Sequence, residues 1–418
     1  MSGTHSIEEL RQFQAMPLDV KIALTKSRIR AWVNEFGADG VYVSFSGGKD
    51  STVLLHIVRE EYPDVPAVFI DTGLEYPEIR DFVKTFDNVA WIKPKLNFRQ
   101  VILKYGYPMI SKEVSECVYG ARKYLTQVLN EMTILQTDRQ TDRQTDRQQY
   151  KYFYDKVCGE GKYAKPYTGG KITNIEKSAE LANILNRKML NKEGGSNQRL
   201  ALMLGMLTAD SKIQANIPEK DKSAFSQVKY KFFLEAPFEI SNRCCNVMKK
   251  EPAHRYTKET GRYPITAQMA CESRLRTQRW LQSGCNGFEL THPISNPMSF
   301  WLGQDVLQYI KQYDIPIASV YGEIVTDYGE ECEGQMDICE LGLADDTRKL
   351  KTTGCNRTGC MFCGYGCHLD KTPTRFERMK KTHPKQYEYI MKPVDKGGLG
   401  FKEVIDWINE HGDMNIKY

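Results

Sequence analysis

No uninterrupted apolar run approaches the roughly 18 residues that a membrane-spanning helix requires, which excludes a helical integral membrane protein. The N-terminal stretch Met1-Ser2-Gly3-Thr4-His5-Ser6 lacks the basic and apolar pattern of a secretory signal, so a cytoplasmic location is expected. Strong charge imbalance is also missing: 58 Lys and Arg face 53 Asp and Glu, and the net +5 neither demands nor excludes a nucleic-acid partner. Without a secretory context the twelve cysteines do not read as a disulfide framework; in a large cytosolic chain they point to metal or redox chemistry.

What is present suffices for two or three domains with a sizeable core: 418 residues, 41% hydrophobic and 27% charged. The most informative stretch is Val41-Tyr-Val-Ser-Phe-Ser-Gly-Gly-Lys-Asp-Ser-Thr-Val-Leu-Leu55. Val41 to Val43 suit a buried parallel strand, and from Thr52 the apolar spacing turns helical. Between them, Gly47 and Gly48 let the backbone approach an anion. The helix start offers unpaired N–H groups, Ser46 and Ser51 add hydroxyls, and Lys49 supplies counter-charge. A second apolar run, residues 65–70, ends in Asp71-Thr72-Gly73, where a carboxylate and a hydroxyl could meet an adenosine, a magnesium ion or both, or cap a helix. Glu75 and Glu78 read as first-turn helix charges. Residues 18–36 read as an amphipathic helix and 89–92 as a third strand, so strand-helix alternation predicts a doubly wound parallel sheet.

After Tyr124 the regular pattern is lost. Thr-Asp-Arg-Gln repeats three times over 137–148 with no apolar face, as a surface insertion or a solvated helix. Residues 126–227 are expected to form a largely helical insertion. The remaining divisions fall at 1–125 and 228–330, the two parts of the nucleotide domain, and at 331–418, a cysteine-rich segment with a basic helical tail over 375–391. In the second part, a strand near 263–266 leads into Glu272-Ser273-Arg274 and Arg276, whose guanidiniums suit phosphate or sulfate oxyanions or else form surface ion pairs. Pro297 to Ile310 reads as a turn followed by a helix from about Gly303.

The Ser46-Gly-Gly-Lys-Asp-Ser51 loop is shorter than the Gly-x-x-x-x-Gly-Lys-Ser/Thr motif of P-loop NTPases and resembles the PP-loop of the N-type ATP pyrophosphatases. Taken in order with residues 71–78, Glu272 to Arg276 and Trp301 to Ile310, it makes the chain similar to the phosphoadenosine phosphosulfate reductase family over roughly residues 20–125 and 228–370. In the family's Gly-x-Arg-x-x-Glu-Ser-x-x-Arg element, Glu272, Ser273 and Arg276 match, while Ala267 and Met269 replace the glycine and the first arginine. The resemblance implies an adenine nucleotide alpha hydrolase-like fold. It also implies a cradle of Ser46, Gly47, Gly48, Lys49, Asp50, Ser51, Asp71, Thr72 and Gly73 for ATP. The intact loop, and the want of the Glu-Cys-Gly-Leu-His tail of the reductases proper, point to the ATP-using relatives, which adenylate an acceptor and release pyrophosphate. Lys49 would then bind the phosphates, Asp50 or Asp71 would help hold Mg2+, and Arg274 and Arg276 would bind the acceptor's anion. Reduction of adenylyl sulfate or its 3′-phosphate is the alternative, and a non-catalytic nucleotide- and cluster-binding module the third reading.

Cys244-Cys245 with Cys360-Met-Phe-Cys363 is similar to the set that holds a [4Fe-4S] cluster in adenylylsulfate reductases. The spacing also admits a local four-thiolate site, most simply for zinc, from Cys355, Cys360, Cys363 and Cys367, or mixed sets with Cys245. Cys271 and Cys285 read as packed thiols near the second substrate element, and Cys117, Cys158, Cys332 and Cys339 as structural. A sulfur-donor protein such as a cysteine desulfurase would be a fitting partner. The tail cations Lys371, Arg375, Arg378, Lys380 and Lys381 form either a solvated face or a nucleic-acid contact.

Overall fold

A computed structural model describes residues 5–123, 228–327 and 349–418. The Thr-Asp-Arg-Gln repeat, the whole of the expected insertion at 126–227, and Cys158, Cys332 and Cys339 lie outside the described residues. The chain divides into two compact units, Met1–Asn97 with Val247–Met361, and Phe98–Asn246 with Phe362–Tyr418. The cuts therefore fall at 97, 246 and 361, whereas the composition changes fall at 125, 227 and 330.

The first unit is α/β. The strands of its main sheet are β1 (Val41–Ser44), β2 (Ala67–Ile70), β3 (Val89–Ile92), β4 (Tyr263–Ile265), β5 (Asn286–Gly287) and β6 (Ile294–Ser295). They form one sheet in the order β3-β2-β1-β4-β6-β5, parallel throughout except for the antiparallel β5–β6 pair at one edge. Val41, Tyr42 and Val43 are all sealed from water although successive side chains face opposite sides, because helices cover both faces of the sheet. Helix α2 (Leu18–Phe36) contributes Ile22, Ile29, Trp32 and Val33 to this core, and α3 (Lys49–Glu61) contributes Val53, Leu54, Leu55, Ile57 and Val58. The apolar residues of each recur at three- and four-residue spacing, which places them on the sheet-facing side. Met298, Phe300, Trp301 and α7 (Gly303–Gln312) complete the core, and the indole N–H of Trp301 donates to Thr25 Oγ1 at 2.9 Å.

One charged pair lies within that packing. Lys21 of α2 donates to Asp305 of α7 at 2.6 Å, and Asp305 also accepts the Leu302 amide at the start of α7. With Lys21 only 2% exposed, the pair holds two helices in fixed register, at a desolvation cost that only close geometry offsets. The other α-helices among the described residues of this unit are α1 (Ile7–Gln14), α4 (Pro77–Val83), α5 (Glu251–Thr260) and α6 (Arg274–Ser283).

From β1 the chain winds outward through β2 to β3 on one side, whereas β4 lies on the other. The sheet therefore has its topological switch point between β1 and β4, where an open α/β sheet leaves a crevice beyond the strand ends. The loop after β1 and the Glu272 segment after β4 flank that point.

The second unit is built on the helix Phe98–Tyr105, helical residues 112–123 and a two-residue parallel pairing of Met109–Ile110 with Gly364–Tyr365. The expected basic helix over 375–391 is two helices, Arg375–Thr382 and Pro384–Met391. Proline opens the second because its missing N–H and fixed φ suit a first helical position. Phe376, Phe401, Ile405 and Ile408 are buried in this unit, with Phe401 on the final helix Phe401–Gly412. Among the described residues no helix is long and apolar enough to cross a membrane.

Candidate oxyanion site and cysteine cluster

The loop after β1 has the backbone its glycines predict. Gly47 adopts φ +70°, and a Cβ there would lie 2.6 Å from Val83 Cγ2 and 2.8 Å from Ile79 Cγ2, so both conformation and packing require glycine. Gly48 is the N-cap of α3. The two serine hydroxyls meet at 3.0 Å; Ser51 Oγ accepts the Ser46 amide at 3.1 Å, and the Gly48 amide donates to Ser46 Oγ at 3.3 Å. Lys49 is buried at the helix start and its ammonium donates to Asp50 at 2.7 Å. Amides, hydroxyls and one ammonium thus converge on a helix N-terminus, the arrangement that receives phosphate oxygens.

The Lys49 amide donates to the hydroxyl of Tyr321 at 3.1 Å, and that hydroxyl pairs with Thr358 Oγ1 at 2.5 Å. Burial pushes the Tyr321 phenol above its ordinary range, so it stays protonated. Neither Tyr321 nor Thr358 carries a local sequence signal, since the loop they meet is 272 positions from Tyr321.

At the end of β2, Asp71 is buried and accepts from Arg80 of α4 at 2.9 Å and from the Gly73 amide. Thr72 donates its hydroxyl to Glu75 at 2.7 Å, and Glu75 also accepts the Thr72 and Leu74 amides. Glu75 therefore closes this turn and is not in the first turn of α4, which carries Glu78 as expected. Both carboxylates named for Mg2+ are engaged by cations, Asp50 by Lys49 and Asp71 by Arg80.

After β4, Glu272 gathers two arginines, Arg276 on Oε2 and Arg357 on Oε1, and accepts the Met269 amide at 3.0 Å. Sequence order selected Arg274 and Arg276; the guanidinium that shares the carboxylate with Arg276 is Arg357, 85 positions from Glu272. Ser273 caps α6 through the Arg276 amide. Burial first, then repulsion by Arg357, lowers the Arg276 pKa, while Asp50 acts in the opposite direction. That coupling places the arginine pair in the electrostatic field of the loop after β1. Cys271 Sγ contacts the Trp301 carbonyl at 3.5 Å, and desolvation raises its pKa, which disfavours a thiolate; the same holds for buried Cys285.

In the second unit, Cys244, Cys245 and Cys363 share one neighbour, Tyr365. Burial and all three thiols raise its phenol pKa, and its hydroxyl donates to the Ser241 carbonyl at 3.1 Å. Cys367 is buried and its thiol is pushed up to about 12, mainly by desolvation. Arg375 shapes this turn: one guanidinium nitrogen donates to the carbonyls of Cys363 at 3.0 Å and Tyr365 at 2.7 Å, and the others hold both oxygens of Asp370. It is thereby an internal clamp within the basic tail. Cys355 and Cys360 belong to the first unit. Among the described residues no group of three or more His, Cys, Asp or Glu side chains is arranged to hold a metal ion.

Fold and loop define a doubly wound α/β protein with a candidate oxyanion cradle at the switch point of its sheet. Residues 40–154 and 197–365, more than half of the chain, match the family model described as the phosphoadenosine phosphosulfate reductase domain, and the chain belongs to that family. It is 32% identical over 90 residues to a phosphoadenosine 5′-phosphosulfate reductase of Xanthomonas euvesicatoria, covering 22% of this chain and 34% of that protein. It is 31% identical over 93 residues to an adenosine 5′-phosphosulfate reductase of Geobacillus kaustophilus, covering 22% and 36%. An uncharacterized protein of Methanocaldococcus jannaschii is 41% identical over 73 residues, covering 16% and 18%. The matches therefore span between about a fifth and a third of those relatives' lengths. A phosphoadenylyl-sulfate reductase structure from Candida auris, a phosphate complex, aligns with 76% of this chain and 92% of its own at 14% identity and a TM-score of 0.31.

Proposed function

We propose that this member of the phosphoadenosine phosphosulfate reductase family binds ATP in the cradle after β1 and transfers AMP to an acceptor in sulfur chemistry. The observation that supports it is the complete loop: positive φ at Gly47, paired Ser46 and Ser51 hydroxyls, and Lys49 at the start of α3. In this reading an acceptor nucleophile attacks the α-phosphorus, a new bond to phosphorus forms, and the bond to the pyrophosphate oxygen breaks. The leaving pyrophosphate would compete with Asp50 for Lys49 and with Ser46, Ser51 and Tyr321 for the loop amides, which would offset its growing charge. Mg2+ would arrive with the nucleotide.

The [4Fe-4S] cluster, with zinc as its alternative, stays a proposal supported by the grouping of Cys244, Cys245 and Cys363 around Tyr365. Those thiols share a neighbour without forming a ready set of metal ligands, so no step is routed through a metal. Anaerobic purification followed by iron, sulfide and zinc analysis tests it, and a colourless protein free of iron would remove the cluster.

Incubation with labelled ATP tests the main reading. AMP and pyrophosphate are expected, whereas ADP and phosphate would refute it. Reduction of a nucleotide sulfate is the second reading, favoured by the names of the Xanthomonas and Geobacillus relatives; release of sulfite from adenylyl sulfate or its 3′-phosphate with a thiol reductant would select it.

A further inference from the structure

We infer that Tyr321 is a built-in stopper of the cradle: its hydroxyl holds the Lys49 amide in the place of a phosphate oxygen, and a bound anion dislodges it and loosens segment 354–358, which carries Cys355. The device rests on the reading of the cradle as a phosphate site and is indifferent to what that site then transfers.

The amides of Ser46, Gly48 and Lys49 and the Lys49 ammonium each have an internal acceptor. Ser51 Oγ takes the Ser46 amide, Ser46 Oγ the Gly48 amide, Asp50 the ammonium, and the Tyr321 hydroxyl the Lys49 amide. Of these acceptors, Tyr321 is the one that reaches in from a distant part of the chain. A Cβ built on Gly48 would lie 3.2 Å from the hydroxyl oxygens of Ser46 and Tyr321 and 3.4 Å from Thr358 Oγ1, so three neutral oxygens crowd the backbone that an oxyanion must approach. A charged phosphate oxygen accepts an N–H roughly twice as strongly as a neutral hydroxyl does, and it therefore wins the Lys49 amide.

Tyr321 cannot yield by itself. Its hydroxyl lies on the ring axis, so ring rotation leaves the oxygen in place, and the residue is 2% exposed within the core. The backbone must move with it. The Tyr321 carbonyl accepts the Gly354 amide at 2.8 Å and the Val320 carbonyl accepts the Cys355 amide at 3.0 Å, while the Tyr321 hydroxyl meets Thr358 Oγ1 at the far end of the segment. These two stretches run backbone against backbone: a Cβ on Gly354 would strike the Val320 carbonyl, and one on Gly322, at φ +66°, would strike the Thr353 hydroxyl. Filling the cradle thus loosens both ends of 354–358 together, and exposure of Cys355 follows occupancy of the cradle within one unit.

The test is hydrogen exchange of the full chain, read by mass spectrometry on the peptide covering Gly354 and Cys355, together with calorimetric titration with inorganic pyrophosphate. In wild type, saturating pyrophosphate speeds exchange of that peptide by roughly threefold or more and slows exchange at residues 46–51. Tyr321→Phe keeps the ring and removes the acceptor. It binds pyrophosphate about three- to tenfold tighter, the peptide exchanges fast without ligand, and pyrophosphate adds nothing further. Thr358→Val, which loosens Tyr321 at one end, gains about twofold in affinity. Tyr313→Phe, at a tyrosine 41% exposed, changes neither readout. Weaker pyrophosphate binding by Tyr321→Phe would make the hydroxyl a ligand of the anion and overturn the stopper, as would equal affinity or the same ligand-dependent exchange in Tyr321→Phe and wild type. Lys49→Ala separates the two readings: if it loses pyrophosphate while Tyr321→Phe matches wild type, the cradle stands and the stopper falls. If neither wild type nor Tyr321→Phe binds pyrophosphate, the cradle reading falls and takes the stopper with it.

Discussion

Replacing Gly47 with alanine separates the two demands the cradle makes on that position. The backbone sits at φ +70°, where a side chain costs about 1–2 kcal/mol. The new methyl would also lie 2.6 Å from Val83 Cγ2, 2.8 Å from Ile79 Cγ2 and 3.3 Å from the Ile79 carbonyl, and forcing α4 away from a packed core adds about 1–3 kcal/mol. Gly73 is the internal control, because it has φ +73° with nothing within 4 Å of an added Cβ. Gly73→Ala should therefore lose only the conformational part, about 1–2 kcal/mol. The assay is urea unfolding followed by tryptophan fluorescence; four of the five tryptophans, Trp32, Trp91, Trp280 and Trp301, belong to the first unit. With m of order 2–3 kcal/mol/M, Gly47→Ala should lower the midpoint by about 1–2 M and Gly73→Ala by roughly half as much. Equal shifts in the two variants would refute the packing argument.

Lys49→Ala should lower pyrophosphate release from ATP by about 100-fold or more while circular dichroism stays native; unchanged turnover would remove Lys49 from the chemistry. Lys21→Met leaves the Asp305 carboxylate buried without its cation and should cost about 3–5 kcal/mol in the first-unit transition, and a loss under about 1 kcal/mol would show that solvent reaches Asp305. Tyr107, whose hydroxyl donates to the Leu399 carbonyl at 2.8 Å, has its phenol pushed up from 10 to about 12, chiefly by burial. The unfolded state loses that proton first. The resulting stability is fully present below pH 10 and declines by up to ~1 kcal/mol per pH unit toward 12. Tyr107→Phe should flatten that part of the pH profile, and an unchanged slope would assign it to other groups.

The parts of the fold legible in the sequence are those whose causes are local. Residues 18–36 show helical apolar spacing and are α2; residues 41–44 carry a buried strand's composition and are β1; Gly47 and Gly48 announced the loop's backbone. Asp71 was visible as a carboxylate at a strand end, whereas its partner Arg80 was not, because an ion pair nine residues apart across a turn leaves no periodic trace. Arg274 and Arg276 were indistinguishable by spacing. Burial beside Glu272 selects Arg276, and its companion Arg357 comes from a segment that only the sheet's closure brings near. Tyr321 was hidden for the same reason. The cysteine pattern showed which thiols to consider, but the clamp by Arg375 depends on carbonyl directions that composition does not encode.

The two strands that flank the switch point, β1 and β4, pair Val41 with Tyr263, roughly 220 positions apart. A loop that long must close before the cradle and the Glu272 cluster share one crevice, so the complete site comes into being late, after much of the entropy of closure has been lost. A ligand that needs both halves has nothing to grip in an early intermediate. A nucleotide that spans both should therefore slow the opening of the folded first unit while leaving its rate of formation nearly unchanged, making occupancy a brake on unfolding.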